Sequence, residues 1–295
     1  PLIPPFLDMN QVRIPRRRVD GVLLLDKPTG LSSNAALQRA KRALSAQKAG
    51  HTGTLDPLAS GLLPLCFGEA TKFAQGLLDA AKRYTATVRF GATTTTGDAE
   101  GDITATFPVS FTADALARAL RGFEGPQTQI PPAYSALKFE GVAHYEYARA
   151  GVQVPRPPRP ITVAAMRLVS WNPPDAVVDI ECSKGTYVRV LAEDLGRALG
   201  SGAHLAALRR TATGGFALAD AVGLADFEAL DVPGRDRMLL PVAVLVTGLA
   251  RLSARSARCR ASTSRRSAAR SPRLRPHHPG APRLWPPHRS RRPSL

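Results

Sequence analysis

The chain has 295 residues, 44% of them hydrophobic, which is enough apolar surface to bury a core and excludes a wholly disordered protein. Its formal net charge is +17, yet residues 251–295 hold thirteen Arg with no Lys, Asp or Glu, so the first 250 residues carry only +4 and total charge does not by itself select a nucleic-acid binder. Cys66, Cys182 and Cys259 are far apart and show no Cys-x-x-Cys spacing, which argues against a zinc site or a disulfide framework and for a reduced, metal-free cytoplasmic protein.

Residues 1–18 read as a flexible leader closing on Arg16, Arg17 and Arg18, and contain no apolar run of signal-peptide length. The longest apolar stretch, 239–250, is interrupted by Pro241, so no membrane span is expected. Residues 21–26 (Gly-Val-Leu-Leu-Leu-Asp) suit a short buried strand. Ser32, Ser33 and Asn34 then offer N-cap oxygens to a helix whose inward face holds Leu37, Ala40 and Leu44. Its other face, with Arg39, Lys41, Arg42 and Lys48, is either simply solvated or an RNA contact.

Segment 51–64 packs two Gly, two Pro, one His and one Asp into fourteen positions, and is expected to be an irregular loop with hydrophobic anchors. Asp56, just before Pro57, reads locally as a turn former. Tyr84, Ala86, Val88 and Phe90 alternate with Thr85, Thr87 and Arg89, the period of a strand with one buried face. Asp98, Glu100 and Asp102 look like a solvated turn, and a helix is expected at about 112–123.

The segment 131–160 is rich in Pro, Tyr and basic residues and reads as a long, partly ordered surface loop suited to binding. Strands are expected at 161–171 and around Val178, Ile180 and Cys182, then a helix through Val188, Leu191, Leu195 and Leu199 that ends at Gly200. These elements follow no βαβ rhythm. They predict an α/β body of the α+β kind, spanning 19–250, with a mixed, largely antiparallel central sheet flanked by helices. The tail from 251 onward lacks Val, Ile, Phe, Tyr and Met and is expected to be disordered.

Several blocks, in order, resemble the TruB-type tRNA pseudouridine synthases. They include residues 21–28 and 32–34, the stretch 51–64, Gly-Glu-Ala-Thr-Lys at 68–72, and Lys-Arg-Tyr at 82–84. Further matches are Tyr-Ser-Ala-Leu-Lys at 134–138, Ser-Lys-Gly-Thr-Tyr-Val-Arg at 183–189, and 202–205 through 208–210. The resemblance implies a pseudouridine synthase-like fold and an enzyme that isomerises uridine 55 in the TψC arm of tRNA, as a monomer and without metal or organic cofactor. It implies that Asp56 attacks the sugar, that Arg189 pairs with that carboxylate, and that Tyr84 packs on the flipped uracil and takes part in proton removal at C5.

By the same resemblance Tyr187 and Leu208 line the base pocket, Lys27 supports the site, and His51 wedges into the space the base leaves. Family members usually carry a C-terminal PUA-like domain of short strands, for which 251–295 offers no strand-forming pattern. A rival reading is a non-catalytic tRNA-binding or tRNA-folding protein that uses the same cleft. A glycosidase is disfavoured, because that chemistry wants a carboxylate pair and only Asp56 sits in the motif.

Overall fold

Five consecutive apolar or glycine positions after residue 20 give a strand buried on both faces, β1 (Gly21–Lys27), in a computed structural model that describes residues 16–246. Helix α1 (Ser33–Ala43) follows as expected: the Ser32 hydroxyl accepts from the Ala35 amide at 3.1 Å, and Leu37 and Ala40 are buried. Its basic face is partly committed, since Arg39 ion-pairs with Glu228.

The stretch 51–64 departs from the expected loop. Only 52–58 is irregular; His51 ends β2 (Ala49–His51), and β3 (Ala59–Phe67) is a nine-residue strand, buried at every position but Ser60. Its apolar run gains burial between neighbouring strands, which outweighs the local turn signals of Gly61 and Pro64. Pro64 sits where β2 runs out and accepts from the Thr52 amide at 3.1 Å.

A 3₁₀ turn (Gly68–Phe73) leads to α2 (Ala74–Asp79) and then to β4 (Lys82–Phe90), where Tyr84, Ala86, Val88 and Phe90 are buried as their spacing predicts. The hairpin β5 (Ala92–Thr94) and β6 (Ile103–Thr106) precedes α3 (Ala113–Gly122), which Thr112 caps, and β7 (Gly125–Gln129). Within 131–160 the chain forms a small hairpin, β8 (Lys138–Phe139) and β9 (Val142–Ala143), and the short helix α4 (His144–Arg149). This insertion has more regular structure than its composition suggests, and it buries Ser135 and His144.

The long strand β10 (Arg159–Asn172), β11 (Asp175–Cys182) and α5 (Val188–Ala198) match the expected elements. After them come β12 (Ala203–Thr213), β13 (Phe216–Ala217), β14 (Val222–Gly223), α6 (Leu224–Ala229) and α7 (Val232–Arg237). One sheet runs β14-β1-β3-β12-β4-β11-β10-β7, with β2 added to β3 and β13 to β12. Its pairings are antiparallel except β1 with β14 and β12 with β3, so the mixed, largely antiparallel sheet is as expected.

One sheet face packs on α1, α3, α5 and α6; on the other, Val22, Leu24, Leu62 and Cys66 pack with Leu77 and Leu245. All described residues fall within one compact unit. No described helix is long and apolar enough to cross a membrane. The expectations of a flexible leader and a disordered tail fall outside the described residues, except at 16–18, where Arg17 ion-pairs with Asp236. The centre of the sheet, β3-β12-β4, is what supports the site described next.

Candidate active site

Asp56 sits in the 52–58 loop between β2 and β3, and that loop is fastened on both sides. The buried Ser33 hydroxyl accepts from the Leu55 amide at 2.7 Å and donates to the Leu55 carbonyl at 3.0 Å. Gly30 N–H donates to the Pro57 carbonyl, and Ala59 N–H to the Asp56 carbonyl. Position 56 is thereby presented into a cavity of about 370 Å³ that it shares with Tyr84, Tyr187, Arg189, Leu208 and Arg210.

Arg189, the second residue of α5, reaches Asp56 with Nη2 at 3.0 Å. The guanidinium is nearly enclosed at 6% exposure, whereas the Asp56 side chain is 43% exposed. Arg189 is held from behind: Nη1 donates to the Thr96 carbonyl at 3.1 Å and Nη2 to the Tyr134 carbonyl at 2.6 Å. Burial pushes the Asp56 carboxyl above the ordinary aspartate value, and Arg189 opposes that rise. A carboxylate that lines a cavity and is paired with a fixed cation can serve as a nucleophile or a base.

Asp98 corrects the expectation of a solvated turn. Its side chain is 4% exposed and lies 3.4 Å from Arg189 Nη1. It accepts from the Glu100 amide and from the Thr96 hydroxyl. The Ala99 amide donates to the Leu205 carbonyl at 3.0 Å, and the Leu205 amide donates to the Gly97 carbonyl, tying the turn to β12. Glu100 and Asp102, by contrast, are exposed, as a solvated turn requires. The Gly-Asp-Ala-Glu-Gly-Asp composition gives no local sign of this buried partner; only the distant arginine explains it.

Tyr84 is 9% exposed, and burial holds its phenol above the usual range, so it stays protonated, with Arg210 pulling the other way. Tyr187, the N-cap of α5, exchanges two bonds with the Gln129 side chain, receiving its amide N–H at 3.1 Å and donating to its oxygen at 2.8 Å. Leu208 comes from β12, opposite Ala86 of β4. These three flank the cavity that contains Asp56.

His51 and Lys27 do not line that cavity. His51 Nδ1 is buried without a hydrogen-bond partner; burial, then the charge of Arg210, lowers the imidazole pKa, so the ring is neutral near pH 7. Lys27 is fully buried behind the loop and donates to the Pro28 and Leu31 carbonyls at 2.8 and 2.6 Å. Its pKa is lowered by burial to about 8, with Asp56 and Glu100 resisting the fall. Arg210 and Lys82 also line the cavity, although reasoning from the sequence gave neither a role.

Two family models match the chain in succession: TruB family pseudouridylate synthase (N terminal domain) over residues 41–188, and tRNA pseudouridylate synthase B C-terminal domain over residues 189–247. The seam between them falls just before Arg189, so Asp56 and Tyr84 lie in one matched stretch and Arg189 and Leu208 in the other. The chain is 57% identical over 238 residues to "tRNA pseudouridine synthase B" of Chromobacterium violaceum, covering 81% of this chain and 78% of the relative. It is 59% identical over 234 residues to the protein of the same name from Thiobacillus denitrificans, covering 79% and 78%.

Among solved structures it resembles a chain from "Crystal Structure of a Cbf5-Nop10-Gar1 Complex", with TM-score 0.62 and 28% identity. It also resembles one from "Structure of H/ACA RNP bound to a substrate RNA containing 2'-deoxyuridine", with TM-score 0.59 and 26% identity. The likeness covers 77% of this chain in each case, and the chain spans 62% and 61% of those two solved chains.

Proposed function

The chain belongs to the TruB family of pseudouridylate synthases, and from that membership we propose that it isomerises uridine 55 in the TψC loop of tRNA, with Asp56 acting on the ribose of the target nucleotide. The class of activity is that of a tRNA pseudouridine synthase, an isomerase. The observation that carries the role of Asp56 is its 3.0 Å pairing with the enclosed Arg189 inside a cavity bounded by two tyrosines and a leucine.

The chemistry follows from that arrangement. The N1–C1′ bond breaks, and Asp56 either adds to C1′ or removes the 2′ proton; Arg189 keeps the carboxylate ionised and aimed. The freed ring turns between Tyr84, Tyr187 and Leu208 and rejoins C1′ through C5. C5 then gives up its proton, relayed by the neutral Tyr84 hydroxyl, which accepts it while passing its own proton to water, and N1 gains one, so no atom is gained or lost.

Extrusion of the base from the tRNA arm leaves a gap in the stack, and a neutral His51 ring fills it. The 131–160 insertion clasps the arm, and Lys27 supports the loop from behind. We take residues 19–250 as the catalytic body, working as a monomer in the cytoplasm without metal or cofactor.

Unmodified tRNA carrying tritium at C5 of its uridines tests the proposal. The protein is expected to release tritium from one site per tRNA, lost when position 55 is cytidine, and Asp56→Asn is expected to release none. Absence of release by the unaltered chain removes the activity; release by Asp56→Asn removes the role given to Asp56.

A further inference from the structure

Two buried cations stand in the cavity wall, neither of them paired with a carboxylate among the described residues. Arg210 is 1% exposed and Lys82 7%, and among the described residues neither forms an ion pair within 4.0 Å. Arg189, in the same cavity, has two carboxylate partners. Arg210 and Lys82 instead hold backbone carbonyls. Arg210 Nε donates to Leu62 at 2.7 Å and Nη2 to Gly53 at 3.2 Å. Lys82 Nζ donates to Ala80 at 2.6 Å, Leu78 at 2.7 Å and Leu77 at 3.3 Å.

Both side chains pass beneath Gly53 of the catalytic loop, where a Cβ would lie 3.6 Å from Arg210 Nη1 and 4.0 Å from Lys82 Cε. The Arg210 guanidinium also lies close enough to the Tyr84 hydroxyl to pull the phenol pKa down against the effect of burial. Carbonyl dipoles offset some desolvation but leave the net charge, and burying two like charges side by side is costly. The strain shows in Lys82, whose pKa falls to about 8 through burial and then through Arg210. An unneutralised positive wall of this kind is worth its cost where negative charge develops during a reaction.

We infer that Arg210, backed by Lys82, receives the negative charge that passes to the uracil ring when its bond to the ribose breaks. The inference rests on the function proposed above. As the N1–C1′ bond opens, its electron pair goes to the ring and spreads over N1, O2 and O4, while C1′ is taken up through Asp56. The same pair later forms the C5–C1′ bond, so the anion is transient and no further reactant is required. Arg210 Nη1, which donates to no backbone carbonyl among the described residues, is the donor that meets a ring oxygen. Lys82, with its protons spent on carbonyls, contributes charge rather than contact.

The test compares two tRNA targets, uridine and its C5-fluorinated form, whose base is the better leaving group and needs less help as an anion. Conversion of the labelled target nucleotide is followed in single turnover, and tRNA affinity is measured beside it. Arg210→Gln is expected to slow the uridine target about 10²-fold and the fluorinated target much less, with tRNA affinity little changed. Arg210→Lys, which keeps the charge, is expected to recover part of the loss.

Equal slowing of both targets would mean that Arg210 only braces the loop and would overturn the inference. Where circular dichroism shows that Arg210→Gln does not fold, Lys82→Met is read in the same way, since it leaves the Leu62 and Gly53 clamps in place. Equal slowing there overturns the inference as well. Failure of the unaltered protein to convert uridine at all is a different result and defeats the proposed function itself.

Discussion

Asp98 faces Asp56 across the Arg189 guanidinium, one carboxylate on each terminal nitrogen, at 3.4 and 3.0 Å. The two differ in access: the Asp98 side chain is 4% exposed and that of Asp56 43%, and only Asp56 lines the cavity. The negative charge of Asp98 contributes to the raised pKa of Asp56.

Removing that charge has a defined sign. Asp98→Asn is expected to lower the Asp56 pKa and to carry the acid limb of the pH–rate profile to lower pH. It also breaks a buried pair, at a cost of about 3 kcal/mol. A pH–rate profile with a thermal melt checks both, and an acid limb that moves upward or stays still rules out this account of the network.

Asp56 itself is expected to trade stability for activity. Its folded-state pKa lies above the ordinary 3.8, so the ionised carboxyl opposes folding above that raised pKa, and the folded state gains stability as pH falls through the window down to 3.8. Asp56→Asn, neutral and of the same shape, is therefore expected to melt no lower than the parent at pH 7 while converting no uridine. A clear drop in Tm at pH 7 that persists at pH 4 contradicts the sign.

Gly61 has φ +99°, and a Cβ there would lie 2.4 Å from the Arg210 carbonyl, at the parallel contact of β3 with β12. Both strain and overlap oppose a side chain. Gly61→Ala is expected to cost about 3 kcal/mol and to lower Tm by about 5–10 °C. It is also expected to slow conversion, because β12 carries Leu208 and Arg210. A melt within a degree of the parent would show that the strands part without penalty.

The thirteen arginines of 251–295 give a salt-dependent prediction. Binding of tRNA by the full chain is expected to weaken more steeply with salt than binding by a version ending at Ala250, with the two converging at high salt. Filter binding across a salt series reads the slopes, and identical slopes exclude a part for the tail.

What the sequence disclosed of the fold depended on how each element is buried. Strand β4 and helices α1, α3 and α5 bury one face each, so their apolar residues recur at a period that can be read. Strand β3 is buried on both faces and carries Gly61 and Pro64, so it resembles a loop. Strand β12 slips register between Leu205 and Ala207 and again between Arg210 and Ala212, which destroys the alternation that would have marked it.

The site divides along the same line. Asp56, Tyr84, Tyr187, Arg189 and Leu208 were named through contiguous motif blocks, and all five line one cavity. Asp98 reads as part of a solvated turn and Arg210 carries no signal of its own, because their significance lies in contacts with residues distant in the chain. An acidic residue among glycines has the composition of a surface turn, and one of two adjacent arginines gives no sign of which will be enclosed.

Strand β12 is among the last long elements of the described chain to be synthesised, yet it lies between β3 and β4, both made far earlier. Until it arrives, β4 and the Ala59–Gly61 end of β3 present unpaired edges toward each other, and the nascent polypeptide has a split sheet with no floor beneath Asp56. A growing chain halted before residue 203 is thus inert and prone to stick to its neighbours, and dependence on chaperones during translation is expected to end once that strand slots in.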